Sequence, residues 1–446
     1  MCMRNWLKVG LLGLALIGGP GACGGSGDPG DGGPGDGGDG ADVDPCEAAA
    51  PEWNAIWQIE LADTGLEGIT PDTNLMDVWG AGPDDIFAVG FAGTVLHYDG
   101  SGWTRMQSGS EADLEGVWGY ALEDAEGNRT RIDVFAAGSD GTILRYNGTN
   151  WTPMLVVNDP DPPNTSAEPV AGTFHDIWGI RAGGTGPDDH PVVVAVGGDG
   201  LIAELDGENN RFVEMRDREV FTDSDGNERV SWVRYSPERL GGVFGAGSRN
   251  DPLFVAVGNN GLILELAGGA WSRNRSFTPG GNFVAHLNGV WGRGAWEIFA
   301  TGIDGTVIRR DNGGTWHVLA KENDLWDLAP VFLRGTWSFH QSLCGEYPEV
   351  PDGGEPPEDP VREDTSWVIF IGWNGTLLMG HDGLICDMQV PTGARLEGIW
   401  GQPPRPEDQR RVDGGTADGG VECDPIEVVV TGVNGTLLRL SNPEGR

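Results

Sequence analysis

The sequence is poor in the residue types on which several classes of protein depend. It contains 5 tyrosines, 7 histidines and 6 cysteines among 446 residues, and 68 aspartates and glutamates far outnumber 28 lysines and arginines. The formal net charge of −40 makes nucleic acid and anionic lipid headgroups poor partners, because an acidic surface repels both. Such a surface can attract cations or basic proteins, or simply maintain solubility.

Local catalytic motifs are also missing. The sequence has no Ser-centred Gly-x-Ser-x-Gly elbow, no glycine-rich phosphate loop and no Cys-x-x-Cys pair. The histidines are scattered, and we expect His97, His175 and His381 to be structural residues with satisfied hydrogen bonds. The composition therefore indicates no class of enzymatic reaction by itself, and the repeats described below say more about the protein.

The N-terminal segment 1–22 has the order of an export signal. Arg4 and Lys8 are followed by an apolar stretch that is too short to span a membrane and is interrupted by glycine. The exit Gly21-Ala22-Cys23 resembles the lipobox of bacterial lipoproteins. That resemblance implies a lipidated Cys23 and, because glycine rather than aspartate follows the cysteine, transfer to the outer membrane. The alternative is an ordinary secreted protein that is cleaved nearby.

Residues 23–52 separate this signal from the folded part. Nearly every residue between Gly24 and Ala41 is Gly, Asp or Pro. Such a composition buries no core and repels itself electrostatically, so we expect a flexible tether. The folded domain is predicted to cover 53–446.

Seven copies of one β-hairpin follow. Six of the seven turns contain Asp-Gly or Asn-Gly, a dipeptide that accepts positive φ at both central positions and closes a two-residue hairpin. The turns are Gly90-Phe91-Ala92-Gly93, Gly138-Ser139-Asp140-Gly141, Gly197-Gly198-Asp199-Gly200, Gly258-Asn259-Asn260-Gly261, Gly302-Ile303-Asp304-Gly305, Gly372-Trp373-Asn374-Gly375 and Gly432-Val433-Asn434-Gly435.

An aromatic residue marks the strand before each hairpin. These residues are Trp79, Trp118, Trp178, Phe244, Trp291, Trp337 and Trp400. The seventh repeat lacks a fourth strand, whereas the strand-like segment from Trp53 to Leu61 has no repeat of its own. Because a ring of β-sheets leaves no open edge between its first and last blades, the sequence predicts an all-β, seven-bladed β-propeller. Its blades are four-stranded and antiparallel, and the N-terminal strand closes the ring.

The segment Asp311-Asn312-Gly313-Gly314-Thr315-Trp316 resembles the Asp-box of sialidase-type propellers, with Arg309 in place of the initial Ser. Shorter variants begin at Asp99 and Asn147. The combined repeat, over about 53–440, also resembles those of photosystem II assembly-factor propellers and of uncharacterised bacterial lipoproteins. In these families the Asp caps backbone N–H groups and the Trp packs beneath it, so the resemblance implies a fold and no particular chemistry.

A sialidase-like site would need arginines at the channel and a tyrosine nucleophile. The sequence places Arg145, Arg309, Arg310 and Arg439 on third strands, away from the inner strand, so we expect no enzyme. The aromatic ring could stack on sugars, but a large residue repeated in every blade is typical of packing between blades.

Four cysteines remain besides Cys2 and Cys23, and an even number in an exported chain indicates disulfides. Of three connectivities, the blade order selects Cys344 with Cys386 and Cys46 with Cys423. Binding of a metal by the four cysteines is the alternative. For a cation such as Ca²⁺, the local candidates are Asp223, Asp225, Asn227 and Glu228, although they lack the twelve-residue calcium loop and also fit a solvated hairpin turn.

The sequence therefore favours a monomeric, non-catalytic, lipid-anchored propeller that binds a protein or glycan at the bacterial cell envelope. The lipid would be its only contact with the membrane, and the protein would face the periplasm or the cell surface. The alternatives are a carbohydrate-active hydrolase or lyase with carboxylates at the channel mouth, or a structural assembly factor of an envelope complex. The identity of the ligand is not encoded in any motif.

Overall fold

Each predicted repeat folds into one β-sheet. A computed structural model describes residues 58–61, 73–123, 129–158, 169–181, 190–222, 228–275, 277–278, 285–319, 332–340, 366–381, 384–388, 390–401 and 426–442. All of them belong to the unit Asp44–Arg446. Within these ranges no helix has the length and hydropathy needed to cross a membrane.

The first half of the chain contributes β1 to β16. Strand β1 is Gln58–Leu61, and blade 1 consists of β2 (Leu75–Gly82), β3 (Asp85–Gly90), β4 (Thr94–Tyr98) and β5 (Trp103–Arg105). Blade 2 consists of β6 (Leu114–Glu123), β7 (Arg129–Gly138), β8 (Ile143–Tyr146) and β9 (Trp151–Pro153). Blade 3 consists of β10 (Leu155–Val157), β11 (Phe174–Ile180), β12 (Val192–Gly197), β13 (Ile202–Asp206) and β14 (Arg211–Glu214). A separate hairpin follows, formed by β15 (Asp217–Thr222) and β16 (Glu228–Val233).

The second half contributes β17 to β32. Blade 4 consists of β17 (Leu240–Ser248), β18 (Asp251–Gly258), β19 (Ile263–Ala267) and β20 (Ala270–Arg273). Blade 5 consists of β21 (Phe277–Thr278), β22 (Leu287–Gly294), β23 (Glu297–Gly302), β24 (Val307–Arg310) and β25 (Trp316–Val318). Blade 6 consists of β26 (Leu333–His340), β27 (Ser366–Gly372), β28 (Leu377–His381) and β29 (Leu384–Asp387). Blade 7 consists of β30 (Leu396–Gly401), β31 (Ile426–Gly432) and β32 (Leu437–Asn442).

The seven sheets have the order that a propeller requires. In blade 1 the order from the axis outward is β2-β3-β4-β5, and every other blade repeats it antiparallel. Strand β1 pairs antiparallel with β32, with Ile59 opposite Leu440. Blades 3 and 5 each gain a fifth strand that the sequence did not predict, because β10 and β21 from the preceding connections pair parallel with β14 and β25. The predicted seven-bladed β-propeller of antiparallel sheets is therefore confirmed.

The inner strands form a closed ring. Each inner strand contacts that of the next blade, and β30 of blade 7 contacts β2 of blade 1. The inner-strand aromatics pack on glycines of the following blade. A Cβ built on Gly119 would lie 2.8 Å from Trp79, and one built on Gly80 would lie 2.7 Å from Trp400. The predicted packing between blades is confirmed, and the contact between blades 7 and 1 is the same as the others.

Close backbone contacts explain the glycine that ends each second strand. A Cβ at Gly138 would lie 2.0 Å from the carbonyl oxygen of Asp113. A Cβ at the corresponding glycine of every other blade would also lie within 2.4 Å of a carbonyl oxygen. The turns that follow have positive φ at both central residues, for example 56° at Asp140 and 68° at Gly141. Ala92 holds the same conformation at φ 52° without an Asn or Asp side chain.

The predicted capping of the turns between third and fourth strands is also confirmed. The Oδ1 atom of Asp311 accepts hydrogen bonds of 2.9 Å from the backbone N–H groups of Gly313 and Thr315. Asp99 caps its own turn in the same way, and the hydrogen bonds from Ser101 lower the pKa of Asp99 to about 2. These side chains stabilise turns and take no part in the site described next.

Candidate functional site: the mouth of the central channel

A β-bulge occurs at the start of every inner strand. In blade 1, Leu75 pairs with Gly90 and Asp77 pairs with Val89, so that Met76 is the extra residue. The same interruption is found in the other six blades. A bulge changes the direction of its extra side chain and is a frequent device at binding sites. We call these seven extra residues, in blade order, the channel mouth: Met76, Glu115, His175, Gly241, Asn288, Arg334 and Glu397.

All seven channel-mouth residues line one cavity on the axis of the propeller. Its volume is about 290 Å³, and inner strands of all seven blades contribute to its wall. Next to the mouth lie the third residues of the inner strands, two of which are Asp77 and Asp176, and further along lie the aromatic residues. The cavity wall thus consists of three layers along the axis: the channel-mouth residues, the third residues of the inner strands and the aromatic residues.

The seven copies differ at the channel mouth far more than in the packed positions around it. The preceding residue is Leu in six blades and Phe in blade 3, and the fourth is Val, Ile or Thr. The mouth residues, by contrast, range from a thioether through two carboxylates, an imidazole, a carboxamide and a guanidinium to glycine. Packing between blades requires the same side-chain shape in every copy. Residues to which this requirement does not apply can differ between copies and be selected for contact with a ligand.

Two pairs of hydrogen-bonded side chains lie at the channel mouth, one in blades 2 and 3 and the other in blades 6 and 7. The Nδ1 atom of His175 and the Oε2 atom of Glu115 lie 2.7 Å apart. The Nε atom of Arg334 donates to Oε2 of Glu397 at 2.5 Å, and Arg395 pairs with the same carboxylate. The side chain of Glu397 is 1% exposed, so one carboxylate is held tightly between two guanidinium groups.

Asp77 and Asp176 connect neighbouring blades. The Oδ2 atom of Asp77 accepts a 2.8 Å hydrogen bond from the backbone N–H of Val117, and Oδ2 of Asp176 accepts one of the same length from Val243. Each carboxyl group retains some contact with the cavity, but the surrounding blades leave it poorly solvated. Burial, reinforced by the charge of Asp176, raises the pKa of Asp77 well above its ordinary value.

Burial likewise raises the pKa of Asp176 to about 7, although hydrogen bonds from the N–H groups of Val243 and Ile177 act in the opposite direction. Two carboxyl groups in one cavity, both with raised pKa values, are capable of acid–base chemistry. Both carboxyl groups also accept hydrogen bonds from backbone N–H groups of the next blade, those of Val117 and Val243. Their arrangement is therefore compatible with a structural role as well as a chemical one.

Several predicted residues lie away from the channel mouth. Arg145, Arg309, Arg310 and Arg439 are on third strands, as predicted, and form ion pairs there with buried or half-buried carboxylates. His97 is a structural residue, with its Nε2 atom 2.5 Å from Oδ1 of Asp85. His175 has a partner as well but belongs to the channel mouth, which the sequence did not reveal.

The predicted cysteine and cation sites are only partly within the described ranges. Cys386 lies on β29 and is 3% exposed, whereas Cys23, Cys46, Cys344 and Cys423 lie outside the described residues. Asp223, Asp225 and Asn227 also lie outside them, and Glu228 begins β16. Among the described residues, no three His, Cys, Asp or Glu side chains converge as metal ligands.

Sequence reasoning missed the channel mouth because its residues come from seven separate copies. Asp77, Glu115, Asp176, Arg334 and Glu397 have no spacing in common with a known motif. A signal was nevertheless present. Aligning the seven copies on their aromatic residue places all mouth residues in one column, three positions before it, and that column holds six residue types.

Comparisons with known proteins add the following. No protein-family model matches the chain, and no curated protein matches it. Among solved structures, the WD40 β-propeller domain of Doa1 is 11% identical with a TM-score of 0.47, covering 86% of this chain and 96% of that one. YCF48 from Cyanidioschyzon merolae is 13% identical with a TM-score of 0.47, covering 86% and 98%. BBS1N, solved in complex with ARL6DN, is 12% identical with a TM-score of 0.48, covering 87% and 97%.

Proposed function

We propose that this protein is a non-catalytic, lipid-anchored β-propeller of the bacterial cell envelope that binds its partner at the channel mouth. Cys23 would carry the lipid, the segment 23–52 would act as a tether, and the outer membrane would be the site of anchoring. The observation that carries the proposal is the series of seven bulges, which brings residues of six different types to one place.

Between the two partner classes expected from the sequence, the aromatic packing favours a protein over a glycan. Sugar binding commonly uses an aromatic ring with one free face. Trp79, Trp118 and Trp337 are 9%, 5% and 3% exposed, and their six-membered rings pack against the glycine of the next blade. On the rim, Trp373 is 38% exposed, but its ring stacks on Phe332 at 4.5 Å and is approached by Arg395 at 5.5 Å.

The test is a binding screen of the purified full chain against peptide and glycan arrays, repeated with two variants. The double variant His175→Ala, Asn288→Ala alters both sides of the channel mouth and should lose binding. The control Trp296→Ala removes an exposed aromatic side chain from a turn between first and second strands, on the opposite face, and should bind as the wild type does. Equal loss in both variants, or in neither, would contradict the assignment to the channel mouth.

A carbohydrate-active enzyme is the second candidate, favoured by one observation. Asp77 and Asp176 share a cavity, and burial raises the pKa of both carboxyl groups. It ranks lower because each carboxylate accepts a backbone hydrogen bond from the next blade. Release of reducing ends from a polysaccharide panel by the wild type, abolished in Asp176→Asn, would establish this candidate in place of the first.

A further inference from the structure

Blade 4 lacks a side chain at the channel mouth, and an arginine occupies the space. Arg239 precedes β17 by one residue, and its Nη1 atom lies 2.8 Å from the position that a Cβ on Gly241 would take. Any larger residue at 241 would displace the guanidinium group. Glycine at this position therefore leaves room for the guanidinium group of Arg239 beside Gly241, which lines the cavity.

Arg239 has no compensating partner within the described ranges. Its guanidinium group makes no hydrogen bond and no ion pair with any described residue, although the side chain is half-buried. Arg334 and Arg395, in contrast, both pair with Glu397. Burial and the like charge of Arg334 lower the pKa of Arg239, whereas the charges of Glu115 and Glu397 act in the opposite direction. Half-burying a cation without an anion is unfavourable, and an incoming anion would relieve that cost.

The neighbours of Arg239 suit a single carboxylate. Asn288 of blade 5 lies at the cavity between blades 4 and 6, and its Nδ2 atom donates to the carbonyl oxygen of Leu333 at 3.4 Å. That long bond leaves the second N–H of the carboxamide for another acceptor. Glu397 is already engaged by Arg334 and Arg395, so the guanidinium group of Arg239 has no hydrogen-bonded carboxylate among the described residues. A planar guanidinium group binds a carboxylate with two parallel hydrogen bonds.

Deeper in the cavity, Asp77 and Asp176 present carboxyl groups, which offer no cation to a second anion. We propose that Arg239, assisted by Asn288 and Arg334, is a carboxylate-binding subsite at the channel mouth, which takes the C-terminal carboxylate or an acidic side chain of a polypeptide partner. This inference rests on the proposed function, because it names the chemistry recognised at that same site.

The test uses the purified full chain and four fluorescent probes. Three are hexapeptide pools: one with a free C-terminus and no acidic side chain, one amidated with Asp or Glu, and one amidated without acidic residues. The fourth is a hexuronate oligosaccharide. The wild type should bind the first or the second pool about tenfold or more tightly than the third, as expected for a charge-assisted hydrogen bond.

Arg239→Gln should abolish that preference, and its unfolding midpoint should equal or exceed that of the wild type, because the uncompensated charge is gone. The control Arg273→Gln makes the same charge change on an exposed outer-strand position and should keep the preference. Equal binding of the amidated, non-acidic pool, or an unchanged preference in Arg239→Gln, would overturn the subsite. Arg239-dependent binding of the hexuronate alone would overturn the polypeptide as its source.

These results separate the two proposals. If the double variant at His175 and Asn288 loses its partner while Arg239→Gln retains every preference, the channel mouth binds but the carboxylate subsite is wrong. If the double variant retains its partner, the proposed function itself fails. Retention of the fold in each variant is checked by far-ultraviolet circular dichroism, so that loss of binding is not attributed to unfolding.

Discussion

Replacing Asp176 by asparagine should change how the stability of the propeller depends on pH. Burial raises the pKa of this carboxyl group to about 7, compared with 3.8 in the unfolded chain. A raised pKa means that the folded protein holds the proton more tightly than the unfolded chain does. The resulting stabilisation is fully present below pH 4 and is lost as the pH rises toward 7.

The size of the effect follows from the pKa values. A rise from 3.8 to about 7 corresponds to about 4 kcal/mol at 1.36 kcal/mol per pKa unit. Because the side chain keeps some contact with the cavity, we expect about 2–4 kcal/mol. Asparagine is neutral at every pH, and its one side-chain oxygen can still accept the hydrogen bond from the N–H of Val243. It no longer accepts the one from Ile177, and this loss costs about 1 kcal/mol.

The measurement is guanidinium unfolding of the full chain at pH 4.5, 6 and 8, followed by tryptophan fluorescence. Asp176→Asn should be slightly less stable than the wild type at pH 4.5 and more stable at pH 8. Asp99→Asn is the control, since the pKa of Asp99 is lowered to about 2 and its contribution is lost only when the pH falls below about 4. Parallel pH profiles for the wild type and Asp176→Asn would refute the assignment of a partly protonated carboxyl group to the channel.

Four further predictions concern the rest of the chain. Ala92→Asn should stabilise the protein by about 1 kcal/mol in chemical unfolding, because alanine is strained at φ 52° and the other turns have Asp or Asn there. Mass spectrometry of the mature protein should find a lipidated Cys23, and an unmodified N-terminus elsewhere would contradict it. Deleting 24–62 should lower the melting temperature sharply because it removes the strand that pairs with β32, whereas deleting 24–44 should not. Non-reducing peptide mapping should find two disulfides, Cys344 with Cys386 and Cys46 with Cys423. A bridge between Cys344 and Cys423 would contradict the blade assignment.

The architecture could be predicted because its causes repeat in the sequence. The glycine that ends a second strand avoids a carbonyl oxygen, the Asn or Asp after it accepts positive φ, and the inner-strand tryptophan covers a glycine of the next blade. These requirements recur around the ring, except that Ala92 stands in the turn of blade 1 and Ser338 replaces the inner-strand glycine of blade 6, so the pattern stands out from the rest of the sequence. The fifth strands β10 and β21 occur in single connections and have no such repetition to reveal them.

The site could not be predicted because a bulge is invisible to strand periodicity. Counting back from Trp79 in steps of two places Asp77 and Leu75 on one face of the strand and Met76 on the other. The bulge interrupts this alternation between Leu75 and Asp77. No particular residue type marks its position in the sequence. Arg239 was missed for a related reason, since its role depends on the absence of a side chain at Gly241.

The overall charge restricts what an arginine at the channel mouth can bind. A net charge of −40 repels acidic ligands at a distance, and salt screens that repulsion beyond about 10 Å at 0.1 M. A half-buried pair between Arg239 and a carboxylate is screened much less, because the ion atmosphere does not enter the contact. Added salt should therefore weaken the binding of a basic peptide with a single carboxylate and strengthen that of a polyacidic one. It follows that the site selects segments in which the bound carboxylate is nearly the only negative charge, a property that the acidic composition alone would not suggest.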